Sequence, residues 1–171
     1  MRERTKKQLM QPEQTLALLK RAQTGHLGTI RQDGAPYVVP VQFVLLGGKI
    51  YLHGAREGEK LENLLRDGRV CFEVCQEFGL SYTKDAQQAC AVNTKYESAI
   101  VFGEAKVIED AGERERALRG LVEKYVPEFA KKEFGAQALA RTAVIAIENL
   151  EYTGKEFRGR YQNRGWGFQN L

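Results

Sequence analysis

Apolar residues along the chain follow two kinds of spacing, one typical of helices and the other typical of strands. Three segments place apolar residues at i, i+3 and i+4, and each is bounded by residues that begin or end helices. Proline introduces the first segment, Asp-Gly ends the second, and proline ends the third. The pattern therefore predicts helices after Pro12, over residues 57–66, and between Asp110 and Pro127.

Other segments are rich in β-branched and aromatic residues and are separated by turn residues. The first two flank Asp33-Gly34, a dipeptide suited to the positive φ of a hairpin turn, and Gly47-Gly48 follows the second. Gly103 lies inside a long apolar segment and predicts a β-bulge there. The predicted strands are residues 27–30, 36–46, 49–53, 69–75, 96–108 and 142–150.

These six predicted strands, with helices inserted between them, favour an antiparallel barrel over a parallel βαβ sheet. The fold class is thus mainly β with inserted α. A chain of 171 residues is expected to form one domain over residues 1–171, with its core at about residues 12–155. Because the core of such a barrel is small, we predict that a second copy covers an exposed apolar face.

Composition narrows the class of protein. The chain is 43% hydrophobic and 28% charged, as in ordinary globular domains, and no apolar run approaches the roughly 18 residues of a membrane span. No apolar signal segment precedes the first helix, so we expect a cytoplasmic protein. The net charge of +4 is concentrated towards the two ends, which fits either an anionic partner or solubilising charge.

The three cysteines have neither a disulfide pattern nor a metal-binding pattern. Their odd number argues against a disulfide framework, and Cys71, Cys75 and Cys90 lack the spacing and histidine companions of a zinc site. Cys71 and Cys75 fall on one face of a predicted strand. We expect both to pack in the core as small apolar side chains, and we expect no metal site.

The segment from His53 to Lys60 contains the clearest candidate for ligand chemistry. It follows Leu52 at the end of a strand, passes Gly54, Ala55 and a second glycine, and enters a helix with Lys60 in the first turn. Backbone N–H groups at a helix start, together with glycines that let an anion approach, are typical of phosphate sites. Such joints are also common without a ligand, so the segment alone leaves a structural role open.

Pro40 lies in the middle of an apolar strand, where it cannot donate a backbone hydrogen bond. One explanation is that this strand lies at the edge of a sheet. The other is that an aromatic ring system docks against the strand and bonds to neighbouring backbone groups. The sequence leaves both explanations open.

These features together resemble the FMN-binding split barrels related to pyridoxamine 5′-phosphate oxidase, and within them the nitroimidazole-resistance (Nim) branch. The resemblance covers about residues 16–155 and includes the spacing between its motifs. The stretches that carry it are Tyr37-Val38-Val39-Pro40-Val41-Gln42-Phe43, residues 53–60, residues 95–105 and Tyr152-Thr153-Gly154-Lys155.

The resemblance implies a six-stranded antiparallel split β-barrel with flanking helices, forming a homodimer with FMN at the subunit interface. The backbone of residues 38–41 would meet the isoalloxazine ring, and residues 53–60 would hold the ribityl phosphate. Tyr96 and Ser98 would add polar contacts near the flavin or across the dimer. The cofactor-binding residues expected from the resemblance are Val38, Val39, Pro40, Val41, Leu52, His53, Gly54, Ala55, Lys60, Tyr96 and Ser98.

Two residues of the joint between strand and helix, residues 53–60, bear on activity. Relatives often have a serine where this chain has Gly54, so a hydroxyl donor to the phosphate is absent. The family's counterpart of His53 lies beside the flavin. An imidazole with a pKa of about 6.5 can deliver a proton to a substrate that receives a hydride, so His53 is a candidate catalytic residue. A purely structural role for His53 also stays open.

The implied function is that of an FMN-dependent oxidoreductase, in which NADH or NADPH reduces the flavin and the flavin reduces a small acceptor such as a nitroaromatic. A non-catalytic flavin- or haem-binding protein is the alternative, because members of the superfamily also bind haem, a deazaflavin or pyridoxamine phosphate. The tail, residues 156–171, combines arginines with aromatic rings. We expect it to pack at the dimer interface, and RNA binding is the less favoured explanation.

Overall fold

The computed structural model describes residues 6–83, 85 and 87–159. None of the helices in these ranges is long and apolar enough to cross a membrane. Two short 3-10 turns, Ala89–Ala91 and Pro127–Phe129, accompany the main elements. In chain order, those elements are α1 (Pro12–Arg21), β1 (Gly25–Ile30), β2 (Pro36–Val41), β3 (Phe43–Leu46), β4 (Lys49–Ala55), α2 (Glu59–Arg66), β5 (Arg69–Ser81), β6 (Asn93–Val107), α3 (Ala111–Tyr125), α4 (Ala136–Arg141) and β7 (Thr142–Phe157).

The strands form one antiparallel sheet in the order β2-β1-β5-β6-β7-β4-β3. β2 and β3 lie at opposite edges of this sheet, although only Gln42 separates them in the chain. The sheet must therefore curl until its two edges meet at Gln42. Because β2 and β3 do not pair within the described residues, the barrel is split along this line.

The mainly β fold class with flanking helices is confirmed, but the prediction of six strands is wrong. Residues 36–46 form two strands: Val41 pairs with Gly25 of β1, whereas Phe43 pairs with Leu52 of β4. The apolar pattern runs through this change of partner without a break, so it cannot reveal it. The predicted bulge at Gly103 is confirmed by a register shift between its two neighbours.

Prolines limit the free edge of β2. The hydroxyl of Thr29 donates to the carbonyl of Tyr37 at 3.4 Å, so the backbone groups of the odd-numbered residues of β2 point to β1 and those of the even-numbered residues point to the split. The backbone groups of Pro36 and Pro40 therefore point to the split, and neither residue has an N–H. Val38 alone offers a donor on this edge of β2. The expectation that Pro40 belongs to an edge strand is confirmed.

The last turn of α3 covers the free edge of β3. The hydroxyl of Tyr125 accepts a hydrogen bond from the Phe43 N–H at 2.9 Å and lies 2.8 Å from the Gln23 carbonyl oxygen. Lys124 Nζ donates to the carbonyl of Phe43 at 2.9 Å. These contacts fasten the start of β3 to the segment that leads into β1, so a helix supplies partners for backbone groups that lie beyond the last β1–β2 pair.

Two groups of buried side chains hold the layers together. Alternate residues of the strands fill the barrel, where the rings of Phe43 and Phe72 meet edge to face with centroids 4.8 Å apart. α3 packs outside against β3, β4 and β7, so residues 143–147 of β7 are buried on both faces. The largest fully buried side chains of the barrel are Leu27, Phe43, Ile50, Leu52, Phe72, Val74, Val101, Ile145 and Ile147.

The outward side of β2, β1, β5 and β6 has an apolar row that no element of the described residues covers. Val38, Gly28, Cys71 and Phe102 occupy paired positions across these four strands, with Val38 61% and Phe102 56% exposed. We call this row and the parallel row through Ile100 the outer sheet face. Exposed apolar residues that lie together in this way usually mark an interaction surface.

The expectation that Cys71 and Cys75 pack in the core is wrong. Both lie on the outward side of β5, where Cys71 is half-buried and Cys75 is exposed, and both are free thiols. The inward positions belong to the neighbours Val70, Phe72 and Val74. Desolvation is the larger cause that raises the pKa of both thiols, and the Glu73 carboxylate adds to it, so neither is activated as a nucleophile.

The described start of the tail is tied to the barrel. Glu97 of β6 is buried and pairs with Arg21 of α1 and with Arg158, whose guanidinium lies 2.5 Å away. The predicted packing of residues 156–171 against a partner lies outside the described residues from residue 160 onwards.

Candidate functional site

The joint between β4 and α2 presents free backbone donors. Gly58 precedes α2 with a φ of 107°, a conformation that favours glycine, and no side chain of the described residues caps the helix. The N–H groups of Leu61 and Glu62 donate to the Gly58 carbonyl. The two N–H groups before them, at the positive end of the helix, have no partner within it.

Lys60 occupies the space that a side chain at residue 54 would fill. An ideal Cβ on Gly54 would lie 2.9 Å from Lys60 Nζ, so the ammonium packs directly over the glycine. Lys60 is half-buried, and this burial lowers its pKa. Within the described residues, no ion pair includes Lys60. The Lys60 ammonium is thus a cation without a counter-charge among the described residues.

His53 shares this electrostatic environment. Desolvation is the larger cause that lowers the pKa of His53, and the Lys60 ammonium adds to it. The side chain is still exposed, so the desolvation comes from neighbouring protein atoms on one side of the ring. Two basic groups whose pKa values are both lowered, with no carboxylate between them, form a site that an anion would stabilise.

The structure brings the joint and the proline strand to the same end of the split. Leu52 pairs with Phe43, so the next residue, His53, lies opposite Gln42, which follows β2 directly. Val41 is one residue further, at a spacing of about 3.3 Å per residue. Val41 therefore lies near His53, and Pro40 and Val39 precede it along the edge of β2. Val38 lies further along the same edge.

Tyr96 and Ser98 are not brought to this place within one chain. His53 pairs with Val144 of β7, and the Val144 carbonyl accepts the N–H of Ile108 beyond the end of β6. Ser98 is ten residues before Ile108, which is roughly 30 Å along the strand. Both Tyr96 and Ser98 face outward on the same side of β6 as Phe102. Within one chain, these two residues therefore lie away from the joint.

Lys124 and Tyr125 are half-buried polar residues beside the start of β3, on the side that faces Gln23, and the sequence pattern does not mark them. Lys124 is half-buried, with Nζ 3.9 Å from the centroid of the Phe43 ring, and desolvation lowers its pKa to about 8. Burial raises the pKa of Tyr125. In the sequence, both belong to the last turn of an amphipathic helix, and no local signal shows that this turn reaches another strand's free edge.

A split antiparallel barrel with a half-buried lysine at the strand-to-helix joint beside its open edge defines a class, the split-barrel proteins. The chain belongs to one family of this class: the family model described as pyridoxamine 5′-phosphate oxidase matches residues 11–156. The resemblance stated from the sequence is thereby confirmed.

Several solved structures have the same fold. A proposed 5-nitroimidazole antibiotic resistance protein from Bacteroides thetaiotaomicron is 27% identical, with a TM-score of 0.71, covering 86% of this chain and 85% of that one. The flavocytochrome Anf3 from Azotobacter vinelandii is 24% identical, with a TM-score of 0.78 and coverages of 96% and 76%. An FAD- and heme-binding protein from Mycobacterium smegmatis is 23% identical, with a TM-score of 0.77 and coverages of 90% and 74%. No curated protein matches the chain.

Removing the Lys60 ammonium should raise the pKa of His53. In Lys60→Met, the repulsion disappears but the larger cause, desolvation, remains, so the pKa should rise and stay below the ordinary value of 6.5. NMR titration of the histidine ring signals measures this change, and Lys20→Met, at an exposed helix position, is the control. An unchanged or lower pKa in Lys60→Met would show that the two side chains do not share one site.

Proposed function

We propose that the chain binds FMN at the split, with the phosphate at the joint and the isoalloxazine ring against the free edge of β2. The observation that supports this proposal is the pair of basic groups at the joint, Lys60 and His53, beside the free N–H groups that begin α2. A dianionic phosphate would supply the missing counter-charge. The other end of the ligand would then extend along the split.

The joint suits the terminal phosphate of FMN. This phosphate carries up to two negative charges on one phosphorus, whereas the diphosphate of FAD carries one on each of two. Lys60 and a protonated His53 offer two positive charges, and Arg56 nearby is held only by a 3.9 Å ion pair with Glu109. Bound phosphate would raise the pKa of His53, so the imidazolium form becomes favourable in the complex.

The free edge of β2 suits the polar rim of a flavin ring. It presents the carbonyls of Pro36, Val38 and Pro40, and the N–H of Val38 is its single donor. A flavin pyrimidine ring has one N–H between two carbonyls, so it can bond to a strand edge of this kind. Pro40 thus limits strand addition at the edge and leaves room for a planar ligand.

The same proposal includes a homodimer formed through the outer sheet face. Val38 and Phe102 expose an apolar row that a second copy would bury. Tyr96 and Ser98 lie further along β6, on the same side as this face, and would complete the flavin site of the partner. A dimer through one shared face is the commonest arrangement of small oligomers.

The reaction we propose is reduction of a small acceptor, such as a nitroaromatic, by NADH or NADPH in the cytoplasm. A nitro compound, NADH and one proton would give the nitroso compound, NAD⁺ and water, with the flavin carrying the electron pair. The similarity to a proposed 5-nitroimidazole resistance protein supports this acceptor class. His53, at the end of the split, would donate the proton to the acceptor.

Lys60→Ala should weaken FMN binding about 10- to 100-fold, which corresponds to the loss of one charge-assisted hydrogen bond. Flavin fluorescence measures the affinity, and riboflavin, which lacks the phosphate, should bind both proteins equally. Lys20→Ala is the control for charge alone. Purified protein that shows a Soret band would favour the haem alternative, and protein that ignores added FMN would overturn the proposal.

His53→Ala should lower turnover more than it lowers FMN affinity, because the proton donor is lost while Lys60 remains. Anaerobic mixing with NADH or NADPH should bleach the flavin of the unchanged protein, and a nitroaromatic should restore its absorbance. A flavin that neither nucleotide bleaches would identify a carrier or sensor, the non-catalytic alternative. Equal turnover in His53→Ala would assign this residue a structural role.

Phe102→Glu should convert the dimer to monomers, because it places a charge in the apolar row of each copy. Analytical ultracentrifugation measures the mass, and FMN affinity should fall together with the dimer. Leu65→Glu changes another exposed apolar side chain, on α2 and 71% exposed, and should leave the dimer intact. A Phe102→Glu dimer with normal affinity would exclude the outer sheet face as the interface.

A further inference from the structure

α2 crosses the end of the split and contacts both of its sides. In its first turn, Lys60 Nζ packs over Gly54, one of the last residues of β4. One turn later, the Asn63 amide donates to the hydroxyl of Thr29, in β1, at 3.2 Å. Because β1 pairs with β2, α2 connects the β4 side of the split to the β1–β2 side.

The face of α2 that contacts the β1–β2 side is polar. Glu59, Asn63 and Arg66 lie at i, i+4 and i+7, which places them on one face of the helix. The Glu59 carboxylate pairs with Arg31 Nε at 2.7 Å, and the Arg66 guanidinium donates to the Ile30 carbonyl. These contacts and the hydrogen bond of Asn63 hold α2 at one position along β1.

The hydrogen bond between Asn63 and Thr29 is buried. The exposed fraction is 2% for Asn63 and 1% for Thr29, whereas the Arg31–Glu59 ion pair lies at the surface, where such pairs contribute little. The Thr29 hydroxyl in turn donates to the Tyr37 carbonyl, next to the single donor on the free edge of β2. Two consecutive hydrogen bonds thus connect α2 to the strand that carries this edge.

Fold stability alone does not explain this buried polar pair. Leu61 and Leu64 already anchor α2 in the barrel core. A leucine in place of Asn63 and a valine in place of Thr29 would fill the space without polar groups that need partners. A hydrogen bond, unlike an apolar contact, has a narrow range of distance and angle. The pair is therefore suited to fixing where α2 lies relative to β2.

We propose that Asn63 and Thr29 are positioning residues that set the distance between the phosphate at Lys60 and the flavin ring at the edge of β2. This inference rests on the proposed FMN binding. A shift of α2 by one residue along its axis would move the Lys60 ammonium by about 1.5 Å. A displacement of this size takes a charge-assisted hydrogen bond of about 2.8 Å beyond its effective range.

The test compares the affinities for FMN and riboflavin, because riboflavin lacks the phosphate and needs only the strand edge. Asn63→Leu should weaken FMN binding about tenfold and leave riboflavin binding and the melting temperature unchanged. The double variant Thr29→Val/Asn63→Leu should show the same loss. Thr29→Ser keeps the hydroxyl and should retain most of the FMN affinity. Thr15→Val removes another buried hydroxyl, on α1, and is the matched control that should change neither affinity.

Parallel weakening of both ligands would overturn the positioning role, because a general defect of the fold affects both. FMN affinity that is unchanged in the double variant would do the same. Absence of FMN binding in the unchanged protein would instead overturn the proposed function itself. If Asn63→Leu does not fold, the double variant decides, since it removes both polar groups together.

Discussion

One constraint organises the structure: the single residue Gln42 must carry the chain from one edge of the sheet to the other. An antiparallel sheet of seven strands normally leaves its first and last strands far apart. Here they are neighbours in sequence, so the sheet has to curl, and it does so without β2 and β3 pairing. The resulting free edges present backbone groups that cost about 1–3 kcal/mol each when buried without a partner. The prolines of β2 and the last turn of α3 solve this problem from opposite sides.

The candidate site is a consequence of this closure. β4 extends past the point where it pairs with β3, and its last residues therefore lie at the end of the split. α2 starts there because Gly58 adopts a left-handed conformation that reverses the chain. Lys60 then packs over Gly54, where any larger residue would displace it. A barrel closed by ladder bonds along every strand would offer neither the free strand edge nor the uncovered end of β4.

Much of this arrangement was predictable, and the failures have physical causes. Periodicity located three helices, most strand positions and the bulge at Gly103, because each depends on local side-chain patterns. The change of partner at Gln42 depends on sheet closure, which leaves no local trace. The orientation of Cys71 and Cys75 was predicted wrongly because cysteine is apolar enough to suit either face. Glu73 lies between the two cysteines on the same face of the strand, and its charge already indicated that this face is outward. Likewise, nothing near Lys124 indicates that its side chain reaches β3.

Lys60 and Lys124 are half-buried cations on different helices, and neither belongs to an ion pair among the described residues. Lys124 secures the Phe43 carbonyl, on the side of the strand that faces Gln23, so its place is explained by the fold. Lys60 makes no such backbone contact among the described residues. In the proposed complex it would meet a phosphate, which has the same charge before and after reduction of a flavin, so it would contribute equally to both redox states, that is, to retention of the cofactor. Gly54 fits this role, because its missing side chain leaves the space that the Lys60 ammonium occupies.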